Sequence, residues 1–176
     1  VIEVYAKQFA WQARYAGADN TLGLGNVNFI DETNNPIGVD MSDAASLDDK
    51  PVSELHLPKG KKVLFKFRSQ DVLHSAYMPH FRAQMNCVPG MVTQFAFTPK
   101  YTTEEMRQQS EVMDKTRGIN KIRSEKGEDL YEFDYVLLCN KICGASHYSM
   151  QMKIVVEEEE EYNKWLAEQP TFAEKL

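Results

Sequence analysis

Four side chains that bind soft metal ions lie within twelve residues of one another, and they are Cys139, Cys143, His147 and Met150. Thiolate, thioether and imidazole groups together select copper, zinc or iron–sulfur chemistry. Structural zinc more often uses two close cysteine pairs, or one pair with two histidines, and a thioether is a poor zinc ligand. The methionine therefore favours copper.

The chain has three cysteines, so a framework built only of disulfides is not expected. A Cys-x3-Cys pair alone would more often be structural thiols or a disulfide than a metal site. His147 and Met150 in register with the pair reverse that preference. The third cysteine, Cys87, stands apart and is expected to be an inert buried thiol.

The number of cysteines also decides which kind of copper site is expected. A blue copper site uses one cysteine, two histidines and a weak axial methionine, so this loop has one cysteine too many. Two cysteine sulfurs can instead bridge two copper ions, each of which then needs one histidine and one weak ligand. His74, just beyond the predicted strand 63–68, is the candidate for the second histidine. A backbone carbonyl between the cysteines is the candidate for the remaining weak ligand.

The elements that must position these residues are predicted to be mainly short strands. Alternating or apolar runs occur near residues 1–9, 26–30, 52–57, 63–68, 91–98, 130–138 and 152–156, separated by glycine and proline turns. Many short strands with few helices indicate a β-sandwich or barrel.

Only two helices are predicted. The first begins after Thr102, which is followed three residues later by Glu105 in the pattern of a capping box, and it is expected to end near Gly118. The second is a terminal helix at about 158–168, whose acidic first turn suits the positive end of the helix dipole.

The bulk properties indicate a single domain over residues 1–176 that does not bind nucleic acid. The net charge is −6, whereas phosphate recognition needs concentrated lysine and arginine. No run of about 20 apolar residues is present that could cross a bilayer. Because the chain opens on Val1 rather than Met, we expect it to be the soluble part of a longer, membrane-anchored protein.

At this point the sequence resembles the periplasmic copper domain of cytochrome c oxidase subunit II. The resemblance rests on the cysteine loop, on an upstream Asp-Val-Leu-His-Ser motif at 71–75, on Val-Pro-Gly at 88–90, on Gln-Phe-Ala-Trp at 8–11 and on Tyr162 with Trp165. It implies a mainly β, cupredoxin-like Greek-key sandwich with an inserted helix and a C-terminal helix. It also implies a dinuclear copper centre, called CuA, whose ligands are His74, Cys139, the backbone carbonyl of Lys141, Cys143, His147 and Met150.

The resemblance implies a role in electron transfer rather than in oxygen reduction itself. The domain would be part of a haem–copper terminal oxidase at the periplasmic face of a bacterial inner membrane. It would accept electrons from a soluble or tethered cytochrome c and pass them to haem in subunit I. Phe9 and Trp11 are the candidate aromatic side chains through which electrons would enter.

The sequence departs from the family pattern in three places. Lys141 replaces a glutamate that helps to bind magnesium against subunit I, and an ammonium cannot ligate a cation, so that magnesium site is in doubt. Phe9 replaces a tryptophan, which points to a different donor surface. An insertion at about 101–129 is expected to contact another subunit. Asp71, Asn86 and Gly144 lie on or beside motif positions and are expected to orient the ligands.

Two other functions remain compatible with the ligand pattern. One is the copper domain of a nitrous-oxide reductase, which shares the loop but carries a much larger second domain. The other is a freestanding copper electron carrier or copper-delivery protein, which would lack a membrane hairpin.

Overall fold

The computed structural model describes residues 1–175, apart from the side chain of His147, and most of its regular structure is β-strand. The strands are β1 Ile2–Lys7, β2 Ala10–Tyr15, β3 Lys50–Val52, β4 Leu55–Pro58, β5 Val63–Ser69, β6 His74–Met78, β7 Ala83–Cys87, β8 Thr93–Phe97, β9 Tyr135–Cys139 and β10 Gln151–Glu157. They form two five-stranded sheets, in the orders β3-β2-β1-β5-β8 and β4-β10-β9-β6-β7.

The two sheets face each other across one hydrophobic core. In β5 every second residue is buried, which puts Val63, Phe65 and Phe67 on the inner face. The ring of Phe65 stacks on Phe95 and Phe97 of the neighbouring strand β8, at 6.1 and 5.5 Å between centroids. β10 contributes Ile154 and Val156 from the opposite sheet. This alternation confirms the predicted mainly β sandwich.

Each sheet contains one parallel pair of strands that are far apart in the chain. β1 pairs in parallel with β5, and β4 pairs in parallel with β10, whereas the remaining neighbours are antiparallel. The segment predicted as one strand at 52–57 is therefore two short strands in different sheets. Residues 53 and 54 carry the chain from the edge of one sheet to the edge of the other.

The segment predicted as a strand near 26–30 is a 3₁₀ helix at Val27–Phe29. The side chain of Asn26 accepts a hydrogen bond of 2.9 Å from the backbone N–H of Asn28. Such a local bond offers the backbone an alternative to a strand ladder, which is why the apolar spacing was misleading here.

Residues 1–175 contain five α-helices, not the predicted two, and they are α1 Ala44–Leu47, α2 Thr103–Arg107, α3 Ser110–Lys126, α4 Glu159–Glu168 and α5 Phe172–Lys175. The capping box is confirmed, because Thr102 Oγ1 accepts from Glu105 N at 3.1 Å while Glu105 Oε2 accepts from Thr102 N at 2.8 Å. The predicted end near Gly118 is wrong. Gly118 lies inside α3, and the helix ends at Gly127, which takes the left-handed conformation (φ 70°) that glycine permits at little cost.

The terminal helix α4 packs on the core through one face. Tyr162, Trp165 and Leu166 contact the buried cluster, and the Trp165 ring stacks on His56 with centroids 3.8 Å apart. Within the described residues, no helix combines the length and apolar character that crossing a membrane demands.

Candidate metal centre

The alternation of two neighbouring strands places His74 and Cys139 on the same inner face of the second sheet. In β9 the buried residues are Tyr135, Leu137 and Cys139, and Ala76 of β6 is the partner of Cys139 in the ladder. His74 precedes Ala76 by two residues, so it is a diagonal neighbour of Cys139 on one face. The distance from His74 Nδ1 to Cys139 Sγ is 3.8 Å.

After β9 the chain leaves the sheet and turns back over the end of the sandwich. The turn is anchored by a hydrogen bond of 2.9 Å from the N–H of Asn140 to the carbonyl of Ser75. The turn brings the carbonyl oxygen of Lys141 to 3.2 Å from Cys139 Sγ and the sulfur of Cys143 to 3.7 Å from it. A disulfide bond is about 2.05 Å long, so the two sulfurs are close but not bonded.

Met150 closes the loop where the chain re-enters the sheet. Its carbonyl accepts hydrogen bonds from the N–H of Cys139 at 3.2 Å and from Trp11 Nε1 at 3.3 Å. Its sulfur lies 4.0 Å from Cys143 Sγ. The loop is thus pinned at both ends by backbone contacts. His147 lies in the 3₁₀ helix His147–Ser149, and its side chain lies outside the described part of the structure.

The predicted ligands that the structure describes therefore form one buried group. The ligand atoms of His74, Cys139 and Cys143 all lie within 4.8 Å of one another, a spacing at which they could hold a metal ion. These three side chains and Met150 are at most 8% exposed. Two thiols, a thioether and an imidazole are soft or borderline donors, and this chemistry fits copper better than magnesium, calcium or structural zinc.

Asp71 and Gln8 connect the histidine to the cysteine loop. Asp71 Oδ1 lies 2.8 Å from His74 Nε2, so that nitrogen carries the hydrogen and the lone pair of Nδ1 faces the sulfurs. Asp71 Oδ2 accepts from the N–H of Gln8 at 2.6 Å. The side-chain amide of Gln8 in turn donates to the carbonyl of Cys143. The sequence predicted a role for Asp71 but missed Gln8, although it adjoins Phe9 in the N-terminal motif.

Burial and hydrogen bonding shift the pKa values of two groups at this site, Cys143 and Asp71. Burial, reinforced by the neighbouring Cys139, raises the pKa of the Cys143 thiol to about 11. Partial burial raises the pKa of Asp71, but hydrogen bonds from His74 and from two backbone N–H groups outweigh it and lower the pKa overall. Bound cations stabilise thiolates, so metal binding would reverse the preference of Cys143 for its protonated form.

The two candidate aromatic side chains occupy different positions. Phe9 is partly exposed, and its ring lies against Gly144, directly after Cys143. A Cβ atom added to Gly144 would lie 2.6 Å from Phe9 Cε1. Trp11 is buried (6% exposed), and its ring centroid is 6.3 Å from that of His74. Phe9 is therefore partly exposed and in contact with the ligand loop, whereas Trp11 lies in the interior near His74.

The remaining predicted residues lie near the cluster but outside it. Cys87 pairs with His74 across β6 and β7 and is fully buried, and burial raises the pKa of its thiol to about 12. Asn86, the residue before Cys87, is exposed, and its partner in the strand ladder is Ser75. Its position in the ladder therefore does not place it opposite a proposed ligand. The side chain of Lys141 is also exposed.

Comparison with known proteins identifies similar sequences and folds. Residues 1–123 match the family model described as cytochrome C oxidase subunit II, periplasmic domain. Over 174 residues, or 98% of this chain, the sequence is 37% identical to "Alternative cytochrome c oxidase subunit 2" of Bradyrhizobium diazoefficiens. Over 112 residues, or 64% of the chain, it is 25% identical to "Cytochrome c oxidase subunit 2" of Thermostichus vulcanus. The ligand loop lies beyond the part that the family model matches, but within the longer of these alignments.

The similarity covers only part of each curated relative. This chain spans 52% of the Bradyrhizobium protein and 25% of the Thermostichus protein. Among solved structures, the periplasmic domain of cytochrome oxidase subunit II of Bradyrhizobium japonicum superposes with a TM-score of 0.54 at 18% identity, covering 94% of this chain and 89% of that one. This likeness confirms the predicted cupredoxin-like fold.

Proposed function

Because this chain belongs to the family of cytochrome c oxidase subunit II periplasmic domains, we propose that it is the electron-accepting domain of a haem–copper terminal oxidase. In this proposal, His74, Cys139, Cys143, His147, Met150 and the carbonyl of Lys141 hold two copper ions. The domain would take electrons from a cytochrome c and deliver them to haem in subunit I.

The observation that carries the proposal is the buried group of sulfur and nitrogen donors at one end of the sandwich. From His74 Nδ1 the donors follow one another at 3.8 Å to Cys139, 3.7 Å to Cys143 and 4.0 Å to Met150. The carbonyl oxygen of Lys141 also lies 3.2 Å from Cys139 Sγ, and an ordinary hydrophobic core does not need such a group of sulfur, nitrogen and oxygen atoms. Bound copper would supply a one-electron redox couple at this position.

Hydrogen bonds hold the donor residues in position, and burial shields them from water. Cys139 and Met150 are held by a backbone hydrogen bond to each other, and Asp71 fixes the His74 ring. The burial of the ligands excludes water from the group. A site whose ligands are held in this way changes its geometry little when its charge changes, which favours fast electron transfer.

The surface around the ligand loop suits contact with a partner protein. Leu73, Ile142 and Tyr148 are 44%, 88% and 85% exposed, and such exposed apolar side chains near a functional site are typical of interaction surfaces. The ring of Phe9 lies against Gly144 of the same loop. We therefore assign Phe9, rather than the buried Trp11, as the aromatic side chain through which electrons enter.

The assembled state that we propose places this domain at the periplasmic face of a bacterial inner membrane, against subunit I. The helix α3 supports a further subunit contact, because none of its seventeen residues is buried in this chain. The exposed ammonium of Lys141 cannot ligate magnesium, so we expect no magnesium bound through this residue. Metal analysis of the assembled oxidase with and without the substitution Lys141→Glu tests that point.

Two alternatives have less support. A nitrous-oxide reductase and a freestanding copper carrier could both use the same ligands, but the family match and the alignment over nearly the whole chain favour the oxidase.

The direct test is electron transfer from reduced cytochrome c to the copper-loaded chain, followed by stopped-flow absorbance. We expect one electron to be accepted per chain, and we expect the rate to fall in Phe9→Ala while the copper content stays unchanged. Phe29→Ala, which removes a ring that is 47% exposed at the end of the 3₁₀ helix Val27–Phe29, is the matched control. A chain that binds copper but accepts no electron from cytochrome c would contradict the proposal.

A further inference from the structure

A cavity of about 470 Å³ lies at the opposite end of β6 from the metal centre. The strand begins at His74 and ends at Met78, so at about 3.3 Å per residue the two ends are about 13 Å apart. The volume is within the range of small-molecule sites. The lining residues come from three separate parts of the chain, and the ones that matter are His80, Phe81, Arg82, Lys100, Tyr101 and Tyr135.

The floor of this cavity is aromatic and rigid. Phe81 stacks on Tyr135 with centroids 4.5 Å apart and lies 4.6 Å from the ring of Phe97. The hydroxyl of Tyr135 donates to the carbonyl of Tyr101 at 3.0 Å, which fixes the wall on that side. The ring of Tyr101 is itself 48% exposed. A ligand would therefore meet aromatic ring surface that is packed against neighbouring rings.

The rim of the cavity is basic. His80, Arg82 and Lys100 line it, and no aspartate or glutamate does. Among the described residues, neither Arg82 nor Lys100 has a carboxylate within ion-pair distance, whereas most other arginines and several lysines of the chain are paired. Such a cluster is unexpected in a chain with a net charge of −6. Two unpaired cations at one rim offer an anion favourable contacts even though the net charge of the whole protein is negative.

We propose that this cavity, called the Arg82 cavity from here on, binds a small organic anion. Arg82 and Lys100 hold its acidic group, and its flat apolar body packs against the aromatic floor. Carboxylates, phosphates and sulfonates share the required oxygen acceptors, and the guanidinium of Arg82 matches them with two parallel donors. The site is independent of copper, because no residue that lines it is a proposed metal ligand.

The test uses benzenesulfonate as the probe, because its charge does not change with pH. Binding to the 176-residue chain is followed by backbone amide chemical shifts. We expect saturable shifts at Arg82, Lys100 and Tyr101. Inorganic sulfate lacks the apolar body and benzyl alcohol lacks the charge, so each should bind at least about tenfold more weakly if both parts of the site contribute.

Exposed side chains allow the site to be altered without unfolding the protein. Arg82→Gln and Lys100→Gln should each weaken binding about threefold to fivefold, and the double variant about tenfold or more. Lys164→Gln removes an exposed lysine from α4, outside the cavity, and should leave binding unchanged.

Three results would overturn the proposal. One is the absence of saturable shifts at the cavity residues, and another is equal weakening by Lys164→Gln. The third is binding of phosphatidylglycerol vesicles that depends on Arg82 while benzenesulfonate does not bind, since the surface would then recognise a membrane and not a small anion.

Discussion

Asp71 holds the ring of His74 by a hydrogen bond of 2.8 Å between Oδ1 and Nε2, and this bond turns Nδ1 towards the sulfur of Cys139. The carboxylate thus fixes both the tautomer and the orientation of a proposed ligand. Its second oxygen binds the N–H of Gln8, whose side chain reaches the carbonyl of Cys143. The histidine and the cysteine loop are therefore positioned by one connected set of hydrogen bonds.

Replacing Asp71 by asparagine should weaken copper binding by about 10- to 100-fold, the range typical for residues that orient metal-bound histidines. The amide keeps the shape of the side chain but is a weaker acceptor for the imidazole N–H. Affinity is measured by competition with a chelator. Asp31→Asn, an exposed carboxylate that also accepts backbone N–H groups, is the control. Equal affinities of the two variants would show that Asp71 has no orienting role.

Replacing Gly144 by alanine should disturb the ligand loop in two ways, through the strain of a side chain at positive φ and through a clash with the Phe9 ring. The added Cβ would lie 2.6 and 2.7 Å from two carbons of the Phe9 ring, at a φ of 144°. Gly90→Ala is a matched control, since Gly90 also has positive φ (76°) but has nothing within 4 Å of the added atom. We expect altered copper spectra and slower electron transfer in Gly144→Ala only. The same spectrum in both variants would refute the close approach of Phe9.

Removing the buried charge of Arg14 should destabilise the first sheet strongly. Arg14 is 1% exposed and binds Glu3 at 3.1 Å and Asp49 at 2.8 Å. Arg14→Met would leave the buried Asp49 without its cation, while Glu3 would keep only Arg68 at 3.2 Å, and breaking such a buried pair costs about 3–5 kcal/mol of the unfolding free energy. Urea denaturation measures this loss. Arg117→Met removes an exposed pair and should change stability by less than about 0.5 kcal/mol.

Binding of benzenesulfonate to the Arg82 cavity should tighten as the pH falls. Burial, with a smaller contribution from the charge of Lys115, lowers the pKa of His80 below its usual 6.5. His80 therefore gains its proton at a lower pH than an ordinary imidazole, and when protonated it adds a third cation beside Arg82 and Lys100. A titration from pH 8 to pH 5 should show an increase in affinity of about threefold.

The same shift in pKa has a consequence for folding. Because the folded pKa of His80 is depressed, its contribution to stability is present above the unfolded pKa of about 6.5 and is lost as the pH falls through the folded value.

His80→Gln should remove the pH dependence of anion binding but keep binding at pH 8. If the wild-type chain bound the probe equally at pH 8 and pH 5, His80 would not face the anion.

The position of Cys139 at the end of a buried strand could be predicted from the sequence because strand parity is local information. Cys139 follows Tyr135 and Leu137 on the inner face of β9, and a period of two is readable without the fold. The proximity of His74 to Cys139 depends on β6 and β9 being neighbours across 65 positions. The sequence indicated His74 only through the need for a second histidine and through the family resemblance, not through the pairing of these strands.

Other features depended on contacts that the sequence does not display. The sequence predicts the capping box at Thr102 correctly, but it also predicts a helix end near Gly118, because glycine is a common helix terminator. The true end at Gly127 is set by its left-handed backbone. The contact of Gln8 with Cys143 joins residues 135 positions apart, and the basic rim of the Arg82 cavity joins residues from separate loops. Neither pattern is periodic, so neither was predicted.

The central claim is that the buried donors hold two copper ions that share one unpaired electron. Electron paramagnetic resonance of the copper-loaded chain, with the copper content of the same sample, tests it most directly. We predict two copper ions per chain and a seven-line hyperfine pattern, which is lost in Cys143→Ser. One copper ion per chain with a four-line pattern would contradict the claim.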